Sequence, residues 1–177
     1  FNIDTFTSKL TRGGALASLF EVEIIAAGKA SKGDIADFTF MCTGVSLPAS
    51  TITAATVTYM GRALSIPGGR EVAQITTSIY NDEGMEIRNY VESWMERLNS
   101  QRTNKRDKSF IKILDYTGEM KIRQLKKDGT GSSKEYIFEN VWPSACGEIA
   151  LAWDTNDIQT FDVTWEYNYW LSSEAGI

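Results

Sequence analysis

Histidine is absent from this chain, and its two cysteines, Cys42 and Cys146, lie far apart in the sequence. Without histidine there is no Ser-His or Cys-His nucleophile and no histidine-bearing zinc or iron site. Two cysteines are too few for a disulfide scaffold or a four-cysteine zinc site, so both are expected to be unpaired, buried thiols. Among the carboxylates, Glu21 and Glu23 fall on one strand face and could imitate a glycosidase pair. An exposed strand face is the simpler reading. Asp82, Glu83 and Glu86, and Asp154 with Asp157, are acidic enough for calcium but lack the alternating spacing of a calcium loop. They read instead as a helix cap and a turn. Gly68-Gly69-Arg70 and Gly129-Thr130-Gly131 have no Walker lysine and precede no helix, so they read as turns rather than phosphate cradles. Trp142, Trp153, Trp165 and Trp170 could stack on sugars or bases, but core and interface packing accounts for them more economically. No enzyme, metal or cofactor is expected.

The 177 residues suit a single domain spanning 1–177, with an N-terminal arm at 1–18 and an extended arm or hairpin at 45–70. A hydrophobic share of 42% with 23% charged residues excludes wholesale disorder. Eighteen basic against 23 acidic residues leave a net charge of −5, which argues against a general nucleic-acid binder. No apolar run reaches the ~18 residues of a membrane span, and the start lacks a signal pattern. A soluble, unsecreted protein without membrane anchoring is the expectation.

The elements follow from periodicity. Asp4–Leu10 makes a short helical turn with Phe6 and Leu10 on one face, ended by Gly13-Gly14. Phe20, Val22 and Ile24 alternate with Glu21 and Glu23 as a strand. A turn at Gly28–Gly33 and a second alternation at Phe38–Cys42 suggest a hairpin. Leu47-Pro48 interrupts the next extension. A β-branched run then reaches Gly61, and Ala63–Ile66 returns toward Pro67-Gly68-Gly69. Glu71–Tyr80 alternates again, with Ile75, Thr77 and Ile79 opposite Gln74, Thr76 and Ser78. Helix 82–98 follows, its stripe formed by Ile87, Tyr90, Val91, Trp94 and Leu98. Gln101–Lys108 is a basic loop. Strands at Phe110–Tyr116, Glu119–Lys126, Lys134–Val141 and Ile158–Leu171 complete a mainly β fold. About eight strands with one flanking helix, and no βαβ rhythm, predict a two-sheet sandwich or barrel.

Five blocks together resemble the tail tube proteins of contractile-tailed bacteriophages: LFEVEI at Leu19–Ile24, FMCTGVSLPAS at Phe40–Ser50, YMGRALSIPGGR at Tyr59–Arg70, IYNDEGMEIRNYVESW at Ile79–Trp94, and the segment from Phe138 to Trp170. The resemblance implies a structural protein of the virion, assembled in the host cytoplasm. Six subunits would close a ring, and rings would stack into the inner tube of a contractile tail. Implied partners are further copies of the chain, the sheath, baseplate and tail-terminator proteins, and a tape measure protein and DNA in the lumen. Two related roles stay open: a tube-initiating baseplate subunit, and the tube of a secretion or bacteriocin-type injection machine. A carbohydrate-binding sandwich rests only on the aromatic residues.

Within that frame the arm at 45–70 is expected to join one ring to the next. Its apolar Leu47, Tyr59 and Ile66 would stay exposed unless a partner covered them. The family's inter-ring loop falls on the same blocks, which makes Leu47, Pro48, Tyr59, Gly61, Arg62, Ile66, Pro67 and Arg70 the stacking candidates. A bore that lets DNA slide should not grip phosphate, because each lysine or arginine contact adds salt-dependent affinity. Strands 50–59 and 71–80 are the candidate lining, with Gln74, Thr76 and Ser78 as short or uncharged side chains. Arg102, Lys105, Arg106 and Lys108 should point away from the bore.

Overall fold

The computed structural model describes residues 2–10, 13–25 and 37–173. The expected turn at 28–33 lies outside them. An exposed helix, α1 (Ile3–Lys9), comes first, with the Asn2 side chain accepting the Asp4 N–H. Strand β1 (Phe20–Ile25), a helical turn α2 (Phe38–Met41) and β2 (Cys42–Val45) lead to the hairpin β3 (Thr51–Tyr59) and β4 (Arg62–Glu71). Then come β5 (Ile75–Tyr80), α3 (Glu86–Leu98), β6 (Gly118–Leu125), β7 (Ser132–Cys146), β8 (Thr160–Glu166) and β9 (Tyr169–Ser172).

The strands run β1-β6-β7-β8-β5-β2, with β9 also on β7. Two layers arise because β7, 15 residues long, serves both. Its first part pairs with β6 and β9, and Trp142–Cys146 pairs with β8. Asn140, at φ 58°, breaks the extended run on β7. The last strand expected at 158–171 is interrupted opposite it, after Glu166, and resumes as β9. Both long strands thus change layer together, as bulged strands do at sheet corners. Side chains from both layers fill one core: Val22, Ile24, Met120, Ile122 and Phe138 from the first, Ile75, Ile79, Phe161, Val163 and Trp165 from the second. Ile87, Tyr90, Val91 and Trp94 of α3 join it, with Trp94 6.0 Å and Phe38 6.2 Å from Trp165 between ring centroids. This is the expected two-layer sandwich. Its layers do not close into a barrel, since β1 and β2 end the strand order.

Three local expectations change. Residues 38–42 do not extend a hairpin from β1: α2 turns Phe38 into the core, β1 pairs with β6, and β2 pairs with β5. Residues 110–116 form a loop around a 3-10 turn (Ile113–Asp115), not a strand. The expected helix at 82–98 starts at Glu86: Asp82 accepts the N–H groups of Gly84 and Glu86 in the turn before it, and Met85 at the N-cap takes a left-handed φ of 53°.

One buried polar pair sits inside the apolar core. The Trp165 indole N–H donates to Thr77 Oγ1 at 2.9 Å, and Thr77 is fully buried. Thr77→Val keeps the shape but orphans that donor. It is expected to cost about 1–3 kcal/mol in denaturant unfolding with an unchanged m-value; an unchanged midpoint would contradict the assignment.

Candidate assembly surfaces

The hairpin β3–β4 stands clear of the body, every residue of both strands being exposed. Its tip, Met60-Gly61, has φ of 47° and 78°, the two positive angles of a two-residue hairpin turn. The register pairs Tyr59 with Arg62, Val57 with Leu64 and Ala55 with Ile66 on one face. Thr58 with Ala63, Thr56 with Ser65 and Ala54 with Pro67 form the other. One face is therefore an apolar stripe with Arg62 beside the tip, and its reverse is small and polar near the tip, with Pro67, Ile52 and Arg70 toward the base. Tyr59 is 71% and Leu64 62% exposed among the described residues.

The stacking candidates separate on this geometry. Tyr59 and Ile66 share the apolar stripe; Val57 and Leu64, missed in the sequence, complete it. Pro67 and Arg70 lie on the reverse face, Arg70 opposite Ile52. Leu47 and Pro48 belong to the connection at the base. Pro67-Gly68-Gly69 does not end the strand as expected. It forms a bulge where two residues of β4 face Thr53 alone. Gly68 is required there: a Cβ would lie 2.8 Å from the Thr53 carbonyl oxygen. A two-stranded ribbon has only edge strands, which is where proline is tolerated.

The second layer consists of β2, β5, β8 and residues 142–146, and no other element of the described residues covers its outward face. The helix lies on the opposite side, where Trp94 meets Trp165 and the Arg88 guanidinium sits 5.4 Å from the Phe161 ring centroid. Gln74, Thr76 and Ser78 do point outward, as read from the alternation, while Ile75, Thr77 and Ile79 are buried. Beside them β8 contributes Asp162, Thr164 and Glu166, with Thr76 opposite Thr164 and Ser78 opposite Asp162. Ser78 donates to Asp162 Oδ1 at 2.6 Å, and Gln74 donates to Glu166. These four segments contain no lysine or arginine. The surface is short, polar and mildly acidic. Both sides of the layer are open edges, β2 at one and residues 142–146 at the other.

The first layer shows the opposite chemistry outside. Arg123 bridges Glu21 at 3.2 Å, Glu23 at 2.8 Å and Glu135 at 2.8 Å, and Lys121 pairs with Glu119. The Glu135 bond above all, then those from Glu21 and Glu23, raises the Arg123 pKa despite its partial burial. Glu21 and Glu23 are thus held by a guanidinium, and the glycosidase alternative falls. The tryptophans are dispersed: Trp165 is in the core, Trp142 and Trp170 are partly buried against it, Trp170 edge-on to Tyr136, and Trp153 stands exposed in the loop before β8. Among the described residues no acidic or cysteine cluster could hold a metal ion, and no helix is long and apolar enough to cross a membrane.

Cys42 and Cys146 are free, on the two outermost strands of the second layer. Three strand spacings put them about 14 Å apart, twice the reach of a disulfide. Burial pushes the Cys42 thiol up to about 11 and raises that of Cys146, so both stay protonated and unreactive at neutral pH. The basic loop is ordered rather than merely solvated. Asp107 binds Arg97 at 3.0 Å and caps Ser109, and Arg106 lies 4.7 Å over the Tyr116 ring.

Comparison with known proteins agrees with this architecture. Residues 15–173 match the family model of the phage tail tube protein. Tail tube protein gp19 of Enterobacteria phage T4 is 31% identical over 170 residues, covering 95% of this chain and 98% of that protein. The gp19 of phage T6 matches equally. Among solved structures, a chain of the sheath–tube complex of an extracellular contractile injection system superposes with a TM-score of 0.61 at 16% identity, covering 94% of this chain and 97% of that one. A chain of the anti-feeding prophage baseplate gives 0.64 at 12% identity, covering 92% and 97%.

Proposed function

Because the chain belongs to the phage tail tube protein family and is a structural component of a tail tube, we propose that six copies close a ring and that rings stack into the inner tube of a contractile tail. The hairpin carries this reading. An amphipathic ribbon whose apolar stripe has no partner among the described residues is a surface made for another copy. It extends from the ends of β2 and β5, so it continues the second layer beyond the body. The open edges at β2 and residues 142–146 supply the lateral contact, since pairing them between neighbours would join the layers of a ring into one barrel without free edges. Lateral contacts close by rotation, whereas axial ones stay open and give a filament.

The bore, in this reading, is lined by the outward face of the second layer. Thr76, Ser78 and Gln74, with Asp162, Thr164 and Glu166, offer DNA no cation to bind. The ion-paired face around Arg123 belongs on the outside, and the basic loop away from the bore. The role is mechanical rather than catalytic: a conduit for DNA, which passes without sequence-specific contacts beside a tape measure protein. By analogy with the injection-system structures, a sheath would surround the tube and baseplate and terminator proteins would end it. Free cysteines fit assembly in the reducing host cytoplasm.

Negative-stain microscopy of the purified chain tests the proposal. Hollow tubes of many rings are expected. Single rings would favour a baseplate-type subunit, and dispersed monomers would contradict the reading.

A further inference from the structure

Beyond the hairpin and the candidate bore face, two exposed patches of opposite charge lie near the two ends of β5. The first is the loop after α3. Arg102, Lys105 and Lys108 carry no ion pair among the described residues, and Ile111 and Leu114 beside them are 82% and 72% exposed. The second is the loop between β7 and β8. Glu148, Asp154 and Asp157 are its only charges, and Leu151, Trp153 and Ile158 are all exposed. One patch is basic and aliphatic, the other acidic and apolar.

The topology fixes their positions. Residues 147–159 enter β8 at Thr160, opposite Tyr80, and Gln159 holds Asn81 near the start of α3. Residues 99–117 leave the far end of α3 and enter β6 at Gly118, opposite Val141. Val141 adjoins Trp142, whose partner Glu166 follows Trp165, and Trp165 pairs with Ile75. The acidic loop therefore lies at the Tyr80 end of β5 and the basic loop near its Ile75 end, about 17 Å away. The hairpin also leaves the sheet at the Ile75 end.

We infer that the basic loop of one copy docks on the acidic loop of a copy in the next ring, as a second axial contact beside the hairpin. Opposite charge selects the partner, and apolar groups on both sides give the contact something to bury. Placement near opposite ends of β5 makes the pair head-to-tail, so it repeats indefinitely along a filament. Two like ends would bring basic loop against basic loop, so the charges also set the polarity of stacking. The axial direction rests on the reading of the hairpin as the stacking element.

Charge reversal tests it on the full chain. Lys105→Glu with Lys108→Glu, and separately Asp154→Lys with Asp157→Lys, should leave rings intact and raise the concentration needed for tubes at least about tenfold, since six contacts per ring interface are lost. All four substitutions together should recover tube growth. Wild-type growth should also weaken with added salt, and this needs no variant to fold. Normal tubes from either reversed pair, no recovery in the combination, or salt-insensitive growth would each overturn the contact. Loss of the rings themselves would overturn its axial assignment. The hairpin is read out separately through Val57→Asp with Leu64→Asp, which leaves the loop charges unchanged. Normal tubes from that variant, with loss and recovery in the charge series, would remove the hairpin and leave the loop contact.

Discussion

A subunit carrying Val57→Asp and Leu64→Asp is expected to fold and to close rings, but not to stack them. Both residues lie on the apolar stripe of the hairpin, paired across it and exposed among the described residues. The fold therefore loses little. Covering one such side chain contributes about 1.5–3 kcal/mol, and an aspartate without a partner adds the cost of burying its charge. Six copies per ring interface multiply the loss, so the effect is abolition of growth rather than shorter tubes. Circular dichroism and gel filtration would establish the fold, and microscopy the assembly. Normal-length tubes would show that the stripe is not the stacking surface.

The second large effect concerns passage through the bore. Thr76→Lys places six cations in each ring on a face that otherwise carries none. Tubes should form as before, because Thr76 is exposed on β5. DNA should now be retained. Six lysine–phosphate contacts in a single ring imply an affinity that falls roughly 10³-fold between about 50 and 200 mM salt. Ejection or DNA release should be slowed at low salt and recover as salt is raised. Unchanged passage at low salt would place this face elsewhere.

Much of the candidate bore face is legible in the chain. Period-two alternation separates Thr76 and Ser78 from Ile75, Thr77 and Ile79, and the same alternation in β8 separates Asp162 and Thr164 from Phe161 and Val163. That β5 and β8 lie side by side is not legible, because alternation carries no information about partners. The same gap produced the expected hairpin from β1. Val57 and Leu64 escaped notice for a related reason: their shared face with Tyr59 and Ile66 depends on the register set by the two-residue tip. Residues 110–116 read as a strand because Phe110, Ile111, Ile113 and Leu114 are apolar. In the subunit Phe110 is buried against Tyr116 and Arg97, while Ile111, Ile113 and Leu114 stay exposed, as surface groups for a neighbour would. Gly68-Gly69 read as a break, although glycine in a ribbon also serves the close approach of a bulge.

The most direct measurement is a reconstruction of the assembled tube by electron cryomicroscopy at side-chain resolution. Tyr59, Val57, Leu64 and Ile66 are expected to be buried against a subunit of the adjacent ring, with Thr76, Ser78 and Asp162 facing the channel. A hairpin folded back on its own subunit, or a channel lined by Arg123 and the basic loop, would contradict this arrangement.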